Sequence, residues 1–461
     1  MEFDILKKTP LYEALSDRGK RIYLPEGIFY WAGRAKKEAE YIGTIGAAYA
    51  YEKDFLGGYS DSWVPCYLEH INDYFSNLDI NDLVPYVSVS GLEELRTIWK
   101  DWIIKKSLFK KDTEEKKLLK LEKYTSLPII TAGVTNAIFM SSAMLLNPSE
   151  SIICPNKRWG NYDNIFSKFL GVNIQSFDFF VDDKLNLEGL KEAIYKVVET
   201  QNKIILILGF PNNPTGFIPT WEENTQLIEI LKETQKEISR PLVILIDDAY
   251  EPYIFSKNVV NRSLFYDIQQ LDENVIPIKL DGITKELLLY GGRIGFVTIG
   301  LKPKWVNNDK ELEILKNEID NKLSGFNRSS ISNCNHFYQA VTTKIFKEKG
   351  MDNIIKTRSS IHEILKFRFE KINSELKKIK NPNISVDPNG GGFFVFLNIN
   401  PNKIKATTFA DHLLRKYKVG VIPIENINEN INGIRIAYCS IDHSQIPEII
   451  NRINLALNDF N

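Results

Sequence analysis

The sequence predicts an α/β protein, with a mostly parallel central sheet covered by helices and a smaller α+β unit behind it. Two observations carry this. Between about residues 127 and 335, short β-branched runs alternate with amphipathic stretches of helical period, the pattern of parallel strands joined by helices. Beyond residue 336 a lysine-rich amphipathic stretch runs to Lys380, and two strand-like runs then flank one helical segment.

Taken in order, "SIICP", "VNIQSFDFF", "KIILILGF", "PLVILIDD", "VIPIKL" and "RIGFVTIG" read as strands, being short, rich in Ile and Val, and bounded by turn residues. "EGLKEAIYKVVETQ" and "WEENTQLIEILKETQKEI" place apolar residues at helical spacing. Later, "GGGFFVFLNI" and "INGIRIAYCSI" read as strands on either side of a helical "TTFADHLLRKY". The first sixty residues are aromatic without clear periodicity and are expected to lie over another unit. Three segments follow: 1–61, 62–335 and 336–461.

A chain of 461 residues is too long for one ordinary core. Its 43% hydrophobic and 25% charged residues are those of a soluble globular protein. A formal net charge of -1 supplies no field to recruit nucleic acid or an anionic membrane, so the expected partner is a small molecule. The N-terminus has an acidic second residue and no long apolar core, and no run approaches the roughly eighteen apolar residues of a membrane span. A cytoplasmic location is expected. Cys66, Cys154, Cys334 and Cys439 form no CxxC pair and predict reduced, buried thiols. The five histidines are scattered, and "HEIL" at residue 362 lacks the second histidine of a zincin helix, so no metal is expected.

Four short stretches hold chemistry at strand ends. "LDGITKELLLYGGRIGF" sets Lys285 in an apolar run, with two glycines and Arg293 behind it. A buried strand does not carry an unpaired ammonium without a use for it. "TAGVTNAIFM" offers the free N–H groups of Val134 and Thr135 after Gly133, suited to a phosphate or serving as a plain strand-to-helix turn. "GFPNNPTGFIPT" holds Asn213 at a strand's carboxyl end, where open α/β sheets bind ligands, although Asn-Pro-Thr-Gly is also good turn chemistry. "ILIDDAYEPY" ends a strand with Asp247 and Asp248 before Tyr250; such an acid pairs with a cationic ring nitrogen or caps the next helix.

In this order the motifs resemble those of fold-type I pyridoxal-phosphate enzymes of the class I/II aminotransferase family, nearest the aspartate and aromatic aminotransferase branch, over roughly residues 40 to 440. The resemblance implies the aspartate aminotransferase-like fold, with 62–335 as the large cofactor-binding domain. Residues 336–461 would be the small domain, and 1–61 an arm packing with the small domain and a dimer partner. It implies that Lys285 forms the internal aldimine with pyridoxal 5'-phosphate and moves a proton between the substrate Cα and the cofactor. Asp247 would keep the ring nitrogen protonated, and Asn213 and Tyr250 would bond the ring's phenolic oxygen. Gly133, Val134, Thr135 and Arg293 would hold the phosphate. In "PNKRWGNYDNIF", Trp159 would stack on the ring. In "LVPYVSVSGLEELRTIWKDWI", Tyr86 would reach the phosphate of the neighbouring subunit in a homodimer. Arg435 in "GIRIAYCS" would clamp the substrate carboxylate with its two-pronged guanidinium. Gly46, Asn213 and, from "NRSSISN", Arg328 would be further substrate contacts.

The chain departs from the family pattern at four positions. Gly282 and Gly133 stand where phosphate-binding serines are common, leaving Thr284 or Lys279 to fill the cup. Glu286 directly follows the lysine, and Tyr162 replaces a histidine that supports the acid. The implied reaction is transfer of an amino group from an L-amino acid, acidic or aromatic, to a 2-oxo acid. The alternative is β-elimination or decarboxylation on the same fold.

Overall fold

The apolar runs assemble into one seven-stranded sheet in the computed structural model, which describes residues 3–23, 27–57, 59–76, 78–107 and 120–460. Its strands are β1 (Ile129–Thr131), β2 (Ser151–Pro155), β3 (Asn173–Phe177), β4 (Ile204–Leu208), β5 (Leu242–Asp247), β6 (Val275–Gly282) and β7 (Gly295–Ile299), in the spatial order β1-β7-β6-β5-β4-β2-β3. Every residue of β4 is buried, the reason it is apolar throughout rather than alternating: helices cover both faces of the sheet. β2, β3, β4, β5 and β6 pair in parallel, while β7 runs antiparallel to β6 and β1.

Besides several short helices of five or six residues, the helices that build the core and the site are, in chain order, α1 (Ile28–Glu38), α2 (Glu93–Ser107), α3 (Val134–Leu145), α4 (Leu187–Val198), α5 (Trp221–Ile238), the single turn α6 (Ile283–Glu286), α7 (Asp309–Ser330), α8 (His336–Lys349) and α9 (Met351–Leu376). α5 starts where Thr220 and Glu223 form a reciprocal capping box, and it buries Asn224, Leu227 and Leu231 on one face. The long lysine-rich stretch is two helices rather than one. Gly350, at φ +71, ends α8 and opens α9, a conformation that favours glycine.

A second, antiparallel sheet holds β8 (Ile384–Val386), β9 (Val395–Ile399), β10 (Ile422–Asn426) and β11 (Ile431–Ile436) in the order β8-β9-β11-β10. Helices α10 (Ala406–Tyr417) and α11 (Ile446–Asn458) pack together and close this unit. The N-terminal stretch, which shows no period in the sequence, contains α1. Its anchors are non-local: Arg34 donates to Asp411 of α10 at 2.6 Å, and Ala35 fits into the space left by Gly420. Tyr41–Ile42 adds a short parallel pairing with Val419–Gly420. The carboxyl ends of β1, β4, β5 and β6 thus face the second sheet and α1, and a cavity lined from all of them lies between.

Candidate functional site

Each strand end contributes one chemical function. After β1, Gly133 adopts φ +85 and caps α3 without a side-chain bond, so the first N–H groups of the helix stay free for an anion. A Cβ on Gly133 would come within 2.6 Å of the Arg293 guanidinium; glycine is required for that approach. Arg293 itself sits at φ +54, an uncommon backbone conformation for a residue with a side chain. It turns this guanidinium over the start of α3.

After β4, Asn213 accepts a 3.2 Å hydrogen bond from Arg435 Nη1. Arg435, on β11, also donates from Nη2 to the Thr44 carbonyl at 3.1 Å and lies 4.2 Å from the centre of the Phe394 ring. Its Nε and the Thr44 hydroxyl are buried without a hydrogen-bond partner. Buried donors of this kind are ordinarily satisfied, and a carboxylate is the acceptor that suits the open edge of a guanidinium.

β5 ends in Asp247, whose Oδ2 accepts from the Tyr162 hydroxyl at 2.6 Å and whose Oδ1 accepts from the Ala249 N–H at 3.2 Å. Burial raises this carboxyl above its ordinary range, and these two donors oppose the rise. The following acid, Asp248, faces away from the cavity and receives Ser263 at 2.5 Å and the Lys279 ammonium.

Beyond β6, Lys285 stands on the one-turn helix α6. Its Nζ lies 5.4 Å from the Tyr250 ring centre and 5.6 Å from that of Tyr290. Burial, with the Arg293 and Arg435 guanidinium groups acting in the same direction and Cys439 and Asp247 opposing, brings its ammonium down to about 8. A lysine so displaced gains a sizeable free-amine population in mildly alkaline solution, and the neutral amine is the form that attacks a carbonyl carbon.

These groups line a single cavity of about 440 Å³. Val134, Thr135, Trp159, Asn213, Asp247, Tyr250, Lys285, Arg293, Arg435 and Gly46 all border it, and Gly133 lies beneath Arg293. Tyr86 and Arg328 do not. Tyr86 is 93% exposed, and Arg328 donates to the Ser332 hydroxyl at 2.6 Å on the outer end of α7. Thr284 faces the cavity, whereas Lys279, the other residue considered for the phosphate cup, is held by Asp248 and by Glu251 at 2.8 Å. Gly282 has a steric reason: a Cβ there would meet the Ile294 carbonyl at 2.6 Å, because β6 and β7 touch through Gly282 and Gly295. Ile28, Phe29 and Ala32 of α1, with Ile45, form an apolar wall that sequence reasoning missed. Only the aromatic composition of that stretch could have pointed to it.

A free amine, an acid able to face a ring nitrogen, a helix N-terminus with an arginine, and an arginine with an open edge make a donor set. It fits pyridoxal phosphate bearing an amino acid, group by group. Fold and site together define a pyridoxal-phosphate enzyme of the aspartate aminotransferase-like fold. The model of the aminotransferase class I and II family matches residues 57–453, and the chain belongs to that family. It is a pyridoxal phosphate-dependent aminotransferase.

The probable aspartate/prephenate aminotransferase of Aquifex aeolicus is 23% identical over 380 residues, covering 81% of this chain and 84% of that one. The aromatic-amino-acid aminotransferase 2 of Thermococcus litoralis is 22% identical over 394 residues, covering 85% and 88%. Among solved structures, an aminotransferase from Anaerococcus prevotii superposes with a TM-score of 0.78 at 23% identity over 96% of this chain and 99% of that one. A kynurenine aminotransferase from Pyrococcus horikoshii superposes with a TM-score of 0.74 at 17% identity over 98% of each chain.

Proposed function

We propose that the protein moves the amino group of an L-amino acid with an aromatic or acidic side chain to a 2-oxo acid, using pyridoxal phosphate carried on Lys285. The observation that carries the reading is the depressed Lys285 amine in one cavity with Asp247 and Arg435. When bound, the cofactor supplies an electron sink that acidifies the substrate Cα–H.

The side chains do the rest. Arg435 grips the α-carboxylate through its open edge and so orients the Cα–H toward Lys285. Lys285, as a free amine, would take the proton from the substrate Cα and hand it on, as a general base and acid working near its own pKa. Asp247, steadied by Tyr162, holds a proton on the ring nitrogen. Asn213 and Tyr250 would bond the ring's oxygen, Trp159 would cover the ring, and Thr135, the Gly133–Val134 turn and Arg293 would hold the phosphate.

The apolar wall of Ile28, Phe29, Ala32 and Ile45 favours an aromatic side chain. Arg158, the third guanidinium at the cavity beside Arg293 and Arg435, is committed to Asp163 at 2.7 Å and Glu429 at 2.8 Å. An acidic side chain therefore needs Arg328 from the second subunit of a homodimer, which would also bring Tyr86 to the phosphate. In this reading residues 62–335 form the large domain, 336–461 the small one, and 1–61 an arm across both the small domain and the partner.

The test is an amino-donor panel against 2-oxoglutarate, with borohydride reduction and peptide mapping. Pyridoxyl mass on Lys285 and turnover of aromatic donors are expected. Label on another lysine, or ammonia release without any acceptor, would refute the assignment. If Arg328→Ala leaves aspartate and glutamate turnover untouched, its reach across the dimer is wrong.

A further inference from the structure

The residue after Lys285 is buried in a cluster of charges that the transfer reaction does not itself use. Glu286 Oε1 accepts from Arg358 Nη1 at 2.5 Å, and Glu286 Oε2 accepts from Lys106 Nζ at 3.0 Å. Lys106 reaches Glu251 at 2.6 Å, and Lys279 joins Glu251 and Asp248. Both oxygens of one carboxylate are therefore held, by α2 on one side and α9 on the other.

The backbone around Lys285 is held as well. Helix α6 is one turn long, so its last carbonyls have no partner within the helix. The Lys285 carbonyl accepts from the Tyr253 hydroxyl at 2.9 Å, and the Glu286 carbonyl accepts from the same Arg358 Nη1 at 2.9 Å. One guanidinium nitrogen thus grips both the backbone and the side chain of Glu286.

Arg358 is a rigid source for this grip. Ten residues along α9, about 15 Å further, Arg368 Nη1 donates to the Cys439 carbonyl at 2.8 Å and the Tyr49 carbonyl at 2.6 Å. Cys439 lies in the turn directly after the strand of Arg435. The helix is fastened at one end to the turn of Lys285 and at the other to the turn beside Arg435.

We propose that Glu286 and Arg358 are positioning residues for Lys285: their ion pair, with Tyr253, sets the reach of the lysine amine toward the substrate Cα held by Arg435. This rests on the roles of Lys285 and Arg435 given above. A pair acting only on folding would leave the amine's environment and the chemical step as they are.

The holoenzyme tests this through Glu286→Gln, Arg358→Gln, the double variant and Tyr253→Phe, each compared by a pH titration of the bound cofactor's absorbance and by kcat and KM. The expected result has three parts. Each single variant moves the spectral midpoint by at least about half a pH unit. kcat falls about tenfold or more while KM changes less than about threefold, the pattern of a lost positioning contact. The double variant loses no more than the worse single, as a coupled pair requires. Tyr253→Phe removes one hydroxyl and keeps the ion cluster, so it reads the same effect should the charge variants fold poorly. A lowered melting temperature with the wild-type midpoint and kcat in Tyr253→Phe and in the folded charge variants would overturn the proposal. Borohydride label absent from Lys285 in the wild type would instead sink the reading beneath it.

Discussion

Replacing Lys285 by methionine should stabilise the cofactor-free chain, because the lysine's ammonium is held where its charge is disfavoured. Burial brings it from 10.5 down to about 8. At about 1.4 kcal/mol per pH unit, that fall corresponds to about 3 kcal/mol of folding free energy forgone when both states are protonated. The side chain opens onto the cavity and remains partly accessible, and water there screens part of the penalty, leaving about 2 kcal/mol. The sign follows from proton uptake. Between about 8 and 10.5 the unfolded chain binds the proton and the folded chain does not, so the wild type gains stability as pH rises through this window. Lys285→Met should therefore show its full advantage near pH 7 and lose most of it by pH 10.5. Urea unfolding of both proteins, stripped of cofactor, across that range gives the difference directly, and other titrating groups cancel between them. Methionine keeps the length of the stem, so little packing is lost. A destabilised variant at pH 7, or a difference that does not change with pH, would refute the reasoning.

Tyr162→Phe removes the donor that favours ionised Asp247, so the acid limb of kcat/KM should move upward by about one pH unit, the size of one hydrogen bond to a charged group; an unmoved acid limb would show that Tyr162 does not act on Asp247. Gly133→Ala forces a Cβ against Arg293 and strains a backbone at φ +85. It should weaken pyridoxal phosphate binding about tenfold, from a strain of about 1–3 kcal/mol, as read by fluorescence titration. Arg435→Lys keeps the charge and loses the two-pronged geometry. KM should rise about tenfold for aromatic and acidic donors alike, at about 1.4 kcal/mol, with cofactor affinity unchanged. A rise confined to one class of donor would place Arg435 at the side chain instead.

The parts of the fold legible in the sequence are those whose pattern arises locally. "SIICP" is β2 without a residue's difference, and "WEENTQLIEILKETQKEI" is α5, because a strand buried on both faces and a capped amphipathic helix write their environment into consecutive residues. The antiparallel direction of β7 was not legible. An apolar run of five residues reports burial, and its direction is decided by which neighbours it meets. Nor was α1, which buries only Trp31 and Ala35. Its position comes from Asp411 and Gly420, more than three hundred residues away.

The same distinction governs the site. Lys285, Asp247, Asn213 and Arg293 could be picked out because each stands at the end of a strand whose own pattern is plain. The two departures nearest Lys285 had no explanation in sequence, since each is answered by a distant element. Gly282 is set by the carbonyl of Ile294 across the β6–β7 pair. Glu286 is set by Lys106 on α2 and Arg358 on α9, residues that look like ordinary surface cations where they occur in the chain. A carboxylate beside an amine that must lose its proton would, if unpaired, favour the charged form and work against that amine. Both oxygens of Glu286 are committed to cations instead, Oε1 to Arg358 and Oε2 to Lys106. The pairing removes that conflict, and it joins the turn of Lys285 to the helix that also braces the turn after Arg435.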